Sequence, residues 1–324
     1  MSAPPQFGAE TDPSGRFVRQ QSAFRGSIAP AGEHPPEAGR YHLYVSLACP
    51  WAHRVVIARR LKGLADVIGM TVVDPIRDER GWAFREGPGW SADPVNGFAF
   101  LAEAYAATDP AWQGRVTVPV LWDRRTGSIV NNESEDILRM LDSAFGPLAL
   151  PAPVLRPADL VDAIDAVNAW VYPEVNNAVY RAGFAASQEA YDEAVADLSR
   201  GLARAEEILT RDRWLAGNRF TEADIRLFTT LVRFDPVYHT HFKCNARLIA
   251  DSPALVGFVR DVAQVPGVMD TIAMEQIKAH YYGTHAALNP SGIIPVSDGP
   301  DLASPHGRDG MGPPALPGEP GNAG

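Results

Sequence analysis

A chain of 324 residues with 46% hydrophobic and 21% charged residues is long enough for two compact units and has the balance of an ordinary globular protein. No run approaches the roughly 18 apolar residues that a spanning helix needs, which argues against a membrane protein. The net charge of −10, with no basic stripe, argues against the electrostatic footprint of a nucleic-acid or anionic-lipid binder.

Residues 1–39 are rich in Pro, Gly and Ala and lack periodicity, so they read as an extension that wraps the surface or is partly disordered. They carry neither the basic start nor the apolar stretch of a secretory signal. Tyr41 to Val45 has the aromatic and β-branched content of a strand. The turn Ser46-Leu47-Ala48 then leads to Cys49-Pro50-Trp51, which opens a helix whose buried face is Ala52, Val55, Val56, Leu61 and Leu64. Ile68 to Val73 reads as a second strand, residues 81–97 as a long loop carrying Trp82 and Trp90, and residues 98–107 as a short helix. Val116 to Trp122 and Ser128 to Val130 form a hairpin around residues 123–127, followed by a helix from Glu133 to Phe145.

The order β-α-β then β-β-α predicts an α/β, thioredoxin-like N-terminal domain over residues 40–146. Gly- and Pro-punctuated residues 147–157 read as a linker. Helical patterns over 158–180, 188–210, 222–234 and 252–280 predict an all-α C-terminal domain spanning 158–297. One helix start is explicit: Thr221 caps it, Asp224 reaches back, and Phe220 staples onto Ile225. Residues 298–324, rich in Gly, Pro and Asp, read as a disordered tail.

The two cysteines, Cys49 and Cys244, fit a reduced, cytoplasmic protein, and without paired histidines they do not compose a zinc site. Cys244 reads as a structural thiol. Cys49 lies among the free N–H groups and positive dipole end of a helix start, both of which favour thiolate. Pro50 suits the first helical position, where its missing N–H costs nothing. A dithiol oxidoreductase has its second cysteine three residues on, and here that residue is Ala52. Such a monothiol site can form a mixed disulfide but needs an external thiol to resolve it, for which glutathione is the cytosolic candidate. The bland alternative is a buried structural cysteine, and His53 and Arg54, one turn along, are given no chemical role. Val118-Pro119 is either a cis proline exposing the backbone of Val118 to a peptide-like ligand or an ordinary edge-strand proline. Asn132-Glu133-Ser134 suits a ligand carboxylate at a helix start or simply caps that helix.

Together these residues resemble the glutathione transferase fold, and more narrowly the glutathionyl-hydroquinone reductases, or Xi class. The likeness runs from residue 15 to residue 297. Its carriers are Cys49-Pro50-Trp51-Ala52-His53-Arg54, the stretch from Gly114 to Asp123, Asn132-Glu133-Ser134, and three more specific tyrosine-bearing segments at 176–185, 233–245 and 277–282. It implies glutathione as cosubstrate, held by Trp82, Arg115, the backbone of Val118, Glu133 and Ser134, with no metal or flavin. It also implies catalysis by Cys49, an aromatic pocket lined by Tyr180, Tyr238 and Tyr281, and a homodimer. Tyrosine suits such a pocket, because its hydroxyl can bond a hydroquinone oxygen while its ring supplies an apolar wall. The implied activity is reduction of S-glutathionyl-hydroquinones, with an omega-like thioltransferase or dehydroascorbate reductase, or a non-catalytic carrier of aromatic ligands, as alternatives. Asp235-Pro236 departs from the pattern by placing proline where an apolar residue is expected, which bears on substrate range.

Overall fold

The computed structural model describes residues 10–151 and 153–316. In chain order its main elements are β1 (Tyr41–Val45), α1 (Pro50–Leu61), β2 (Gly69–Val72), α2 (Leu101–Thr108), β3 (Val120–Asp123), β4 (Ser128–Asn131) and α3 (Ser134–Ser143). The helices α4 (Val161–Val171), α5 (Ala178–Gly183), α6 (Gln188–Arg211), α7 (Glu222–Leu231), α8 (His239–His241), α9 (Pro253–Ala263) and α10 (Met274–Thr284) follow. Two compact units result. The first comprises the described chain up to Leu150 together with Thr271–Val296, and the second Pro151–Asp270 together with the chain from Ser297 on.

The first unit is built on a four-stranded sheet in the order β2-β1-β3-β4, with β2 parallel to β1 and the other neighbours antiparallel. β1 lies inside the sheet and is buried along its whole length, which is why it lacks the apolar–polar alternation of a half-exposed strand. The strand expected from Val116 begins only at Val120. Just before it, Thr117 spends both backbone groups on one side chain: its N–H donates to the Tyr105 hydroxyl at 3.1 Å, and that hydroxyl donates to its carbonyl at 2.9 Å. With its ladder groups satisfied from the side, this segment stays out of the sheet.

α10 belongs to this unit, not to the helical one to which its pattern assigns it. Polar contacts explain the placement: His280 Nδ1 lies 2.7 Å from the Pro75 carbonyl, Arg77 N–H donates to Thr284 Oγ1 at 3.2 Å, and Gln276 donates to the Gly89 carbonyl at 3.3 Å. The single pattern read over 252–280 breaks at Pro266-Gly267, where Gly267 takes φ +85, a conformation that glycine adopts without cost.

In the second unit the pattern read over 158–180 is likewise interrupted, and the one read over 222–234 ends at Leu231, just before a similar turn. Around Pro173 and Pro236 the chain takes wide, π-type turns, with Asn177 N–H reaching Tyr172 O at 2.9 Å and Tyr238 N–H reaching Arg233 O at 3.2 Å. Proline has no N–H to continue the regular ladder, so the turn loosens there. At the start of α7 Asp224 reaches back as read from sequence: its fully buried carboxylate accepts from Leu215 N–H at 2.8 Å, Thr221 N–H at 2.8 Å and Thr221 Oγ1 at 3.0 Å. Asp224→Ala leaves those donors in the core without an acceptor. It is expected to lower stability by about 2–4 kcal/mol, seen as a reduced urea midpoint at unchanged slope.

The tail read as disordered is ordered through residue 316; residues 317–324 lie outside the described chain. Arg260 donates to Asp301 O at 2.9 Å, Gln264 to Leu302 O and Ser304 O at 2.8 Å each, and Trp214 Nε1 to Pro313 O at 3.0 Å. A Gly- and Pro-rich segment has little core of its own, but side chains of α9 and its neighbours supply the partners that hold its backbone.

Candidate active site

Cys49 is the N-cap of α1, extended at φ −76, ψ 122, with Pro50 at the first helical position. Its N–H is tied to Ser46 O at 3.1 Å, and its carbonyl accepts the helix's first hydrogen bond from His53 N–H at 2.9 Å. The sulfur is therefore fixed at the strand-to-helix turn and remains half-buried. Its Sγ–H points to the Val118 carbonyl at 3.7 Å, and the Val118-Pro119 bond is cis. The thiol sits against the backbone just before β3. His53 and Arg54 turn inward. His53 Nε2 is 2.8 Å from Thr271 Oγ1, and the Arg54 guanidinium lies 4.3 Å from the Trp51 ring centre.

Glu133 is the N-cap of α3, its Oε1 accepting from Glu135 N–H at 3.2 Å and Ser134 Oγ at 3.3 Å. Ser134 is buried. The N-terminal extension lies across this corner. Ser22 Oγ donates to Glu133 Oε2 at 2.9 Å, Phe24 N–H to Asn132 Oδ1 at 3.1 Å, and Arg115 N–H to Gln20 Oε1 at 3.3 Å. The Arg115 guanidinium pairs with Glu10, and Arg19 lies 4.7 Å from the Trp51 ring centre. Two of the residues read from sequence as holders of a glutathione-like ligand, Arg115 and Glu133, therefore meet the same wrapping segment.

Trp82 is buried, stacked on His280 at 5.0 Å between ring centres, with the Arg77 guanidinium 4.7 Å from its ring centre. Tyr281 follows on α10 with its ring 5.2 Å from that of His280 and 5.7 Å from that of His285. In the second unit, Tyr180 and Tyr238 come together at 6.0 Å, and both pack on Phe242, Tyr238 nearly parallel to it at 5.5 Å. Tyr238 is fully buried and Tyr180 half-buried. Within the second unit two of the three tyrosines thus form one aromatic cluster, while Tyr281 belongs to the first. Cys244 is buried, its thiol pushed up by burial, which makes it a poor nucleophile.

Sequence reasoning passed over Tyr105 and the extension's polar residues. Tyr105 is a positioning residue: besides Thr117 it accepts from Asn132 Nδ2 at 3.1 Å, so one hydroxyl ties the segment before Val118 to the segment before Glu133. A lone tyrosine in a short helix gives no signal of this. Among the described residues no cluster of three or more His, Cys, Asp or Glu could hold a metal ion, and no helix is long and apolar enough to cross a membrane.

The chain matches the family described as "Glutathione S-transferase, N-terminal domain" over residues 48–144 and "Glutathione S-transferase, C-terminal domain" over residues 188–261. It is 51% identical over 304 residues to the glutathionyl-hydroquinone reductase YqjG of Escherichia coli, covering 91% of this chain and 93% of that one. The glutathione-bound structure of YqjG matches with TM-score 0.85 over 88% of this chain and 96% of that one. The glutathionyl-hydroquinone reductase PcpF of Sphingobium chlorophenolicum is 50% identical, covering 87% of this chain and 90% of its own. The glutathione S-transferase Xi of Phanerochaete chrysosporium is 48% identical, with TM-score 0.87 over 89% of this chain and 94% of that one.

Proposed function

Because the chain belongs to the glutathione S-transferase family, among its glutathionyl-hydroquinone reductases, we propose that it reduces S-glutathionyl-hydroquinones with glutathione, through a mixed disulfide on Cys49. The observation that carries the mechanism is a lone thiol at the start of α1, 3.7 Å from the Val118 carbonyl, with Ala52 where a resolving cysteine would stand. The Cys49 thiolate attacks the glutathione sulfur of the substrate and forms an S–S bond. The carbon–sulfur bond breaks, its electron pair stays on the ring carbon, and protonation there releases the hydroquinone. A tyrosine of the pocket serves as the acid. The thiolate of a second glutathione then attacks the mixed disulfide, releasing oxidised glutathione and restoring the Cys49 thiolate. The substrate's thioether sulfur and the thiol of the second glutathione end as a disulfide while one aryl carbon is reduced, so the electrons balance.

In this reading Trp82, Arg115, the Val118 backbone, Glu133 and Ser134 hold glutathione. The Glu133 carboxylate faces the ammonium of the γ-glutamyl end, and the N–H groups at the start of α3 face the carboxylate beside it. Tyr180, Tyr238 and Tyr281 bind the aromatic ring, and the enzyme works as a homodimer in the reducing cytoplasm, which light scattering and fractionation test. The reaction itself is tested by supplying a glutathionyl-hydroquinone and glutathione. Hydroquinone and oxidised glutathione are expected in equal amounts; no release by the folded protein, with dehydroascorbate or mixed disulfides reduced instead, overturns the proposal in favour of a thioltransferase.

A further inference from the structure

Of the contacts between the N-terminal extension and the first unit, one places like charge where a ligand's charge belongs. Residues 10–18 form a tight hairpin: Val18 N–H donates to Glu10 O at 2.7 Å, Thr11 bridges Phe17, and Asp12 Oδ1 accepts from Ser14 N–H at 2.8 Å, with Gly15 at φ +84 completing the turn. Phe17 anchors the hairpin by its burial. So held, Glu10 is only 3% exposed, and one oxygen of its carboxylate sits on Arg115 Nη1. The other oxygen, Oε2, is buried with no hydrogen-bond partner among the described residues. A half-satisfied buried carboxylate is costly, and stability alone does not call for one here.

We infer that Glu10 sets the affinity of the glutathione site by competing, through its carboxylate, with the glycine carboxylate of glutathione for the Arg115 guanidinium. The inference rests on the reading of Arg115 as a glutathione contact. Glutathione carries two carboxylates and one ammonium. The ammonium is drawn to Glu133, and the γ-glutamyl carboxylate next to it goes to the start of α3, which leaves the glycine carboxylate for Arg115. There it meets a guanidinium already neutralised by Glu10, and two carboxylates on one fork repel each other. Such a device suits a cycle in which glutathione units must both enter and leave. A site that held the tripeptide at full strength would retain the oxidised product and slow turnover.

Glu10→Gln keeps the shape and removes the charge. Calorimetric titration with reduced glutathione under a phosphine reductant is expected to show binding about three- to tenfold tighter than in the parent, the size of a partly buried charge contact. Titration with the glycine ethyl ester of glutathione, which lacks the competing carboxylate, is expected to give equal affinities for both proteins, and that equality also shows the variant's site intact. Weaker or unchanged glutathione binding by the variant overturns the inference and makes Glu10 a structural partner of Arg115. So does an equal gain for glutathione and ester. If the parent protein itself binds no glutathione, the reading of the whole site fails, and the inference with it.

Discussion

Cys49→Ser loses hydroquinone release almost entirely, kcat falling by at least roughly a thousandfold, because the hydroxyl cannot form the disulfide through which the substrate's glutathionyl group must pass. The fold should not notice the change. Cys49 is half-buried, and the bond from its sulfur to Val118 O is long; the constraints that shape the turn are on the backbone, through Ser46 O and His53 N–H. Serine is moreover a preferred N-cap, so α1 loses nothing by the exchange. Glutathione should therefore still bind with an affinity within a few-fold of the parent's, since its proposed holders Arg115, Glu133 and Ser134 are untouched. That pairing of lost turnover with kept binding separates a chemical role from a structural one. Release of hydroquinone by the serine variant at anything near the parent rate would sink the mixed-disulfide mechanism, whatever the affinity.

The contrast between Cys49 and the rest of the site shows what a sequence exposes. A thiol before proline, after a strand, is a local pattern whose geometry follows from capping rules, and β1, α1 and the Thr221-Asp224 box are legible for the same reason. Glu10 and Arg115 are remote in sequence, and their pairing depends on where a hairpin lands; nothing in either neighbourhood announces it. Tyr105 is similar: its hydroxyl, not its helix, does the positioning, and it starts β3 later than the apolar pattern predicts. The assignment of α10 to the first unit was illegible because helical periodicity reports one buried face and says nothing of what covers it. His280, Gln276 and Thr284, which decide the matter, look like any polar residues of a helix.

The chain beyond Ser297 tests the limits of composition most directly, through Arg308. This arginine is buried at 3% exposure and donates from Nη1 to Leu209 O and from Nη2 to Asp212 O and Arg213 O, each at 2.9 Å. It therefore caps the open carbonyl end of α6, where a cation also complements the helix dipole. Arg213 returns the arrangement, forking onto Asp261 at 2.8 Å and donating to Gly312 O at 2.9 Å. The mid-helix glycine of α9 has its reason here: a Cβ on Gly257 would come within 3.0 Å of His306 O and 3.4 Å of Arg308. Arg308→Ala strips three carbonyls of a charged donor inside the protein and should cost about 3–4 kcal/mol, lowering Tm by roughly 10 °C. Arg308→Lys should recover less than half, since an ammonium cannot span the carbonyls that a planar fork reaches. Differential scanning calorimetry of the three proteins decides the point. A tail that composition calls disordered predicts three identical melting curves, and that result would refute the capping role.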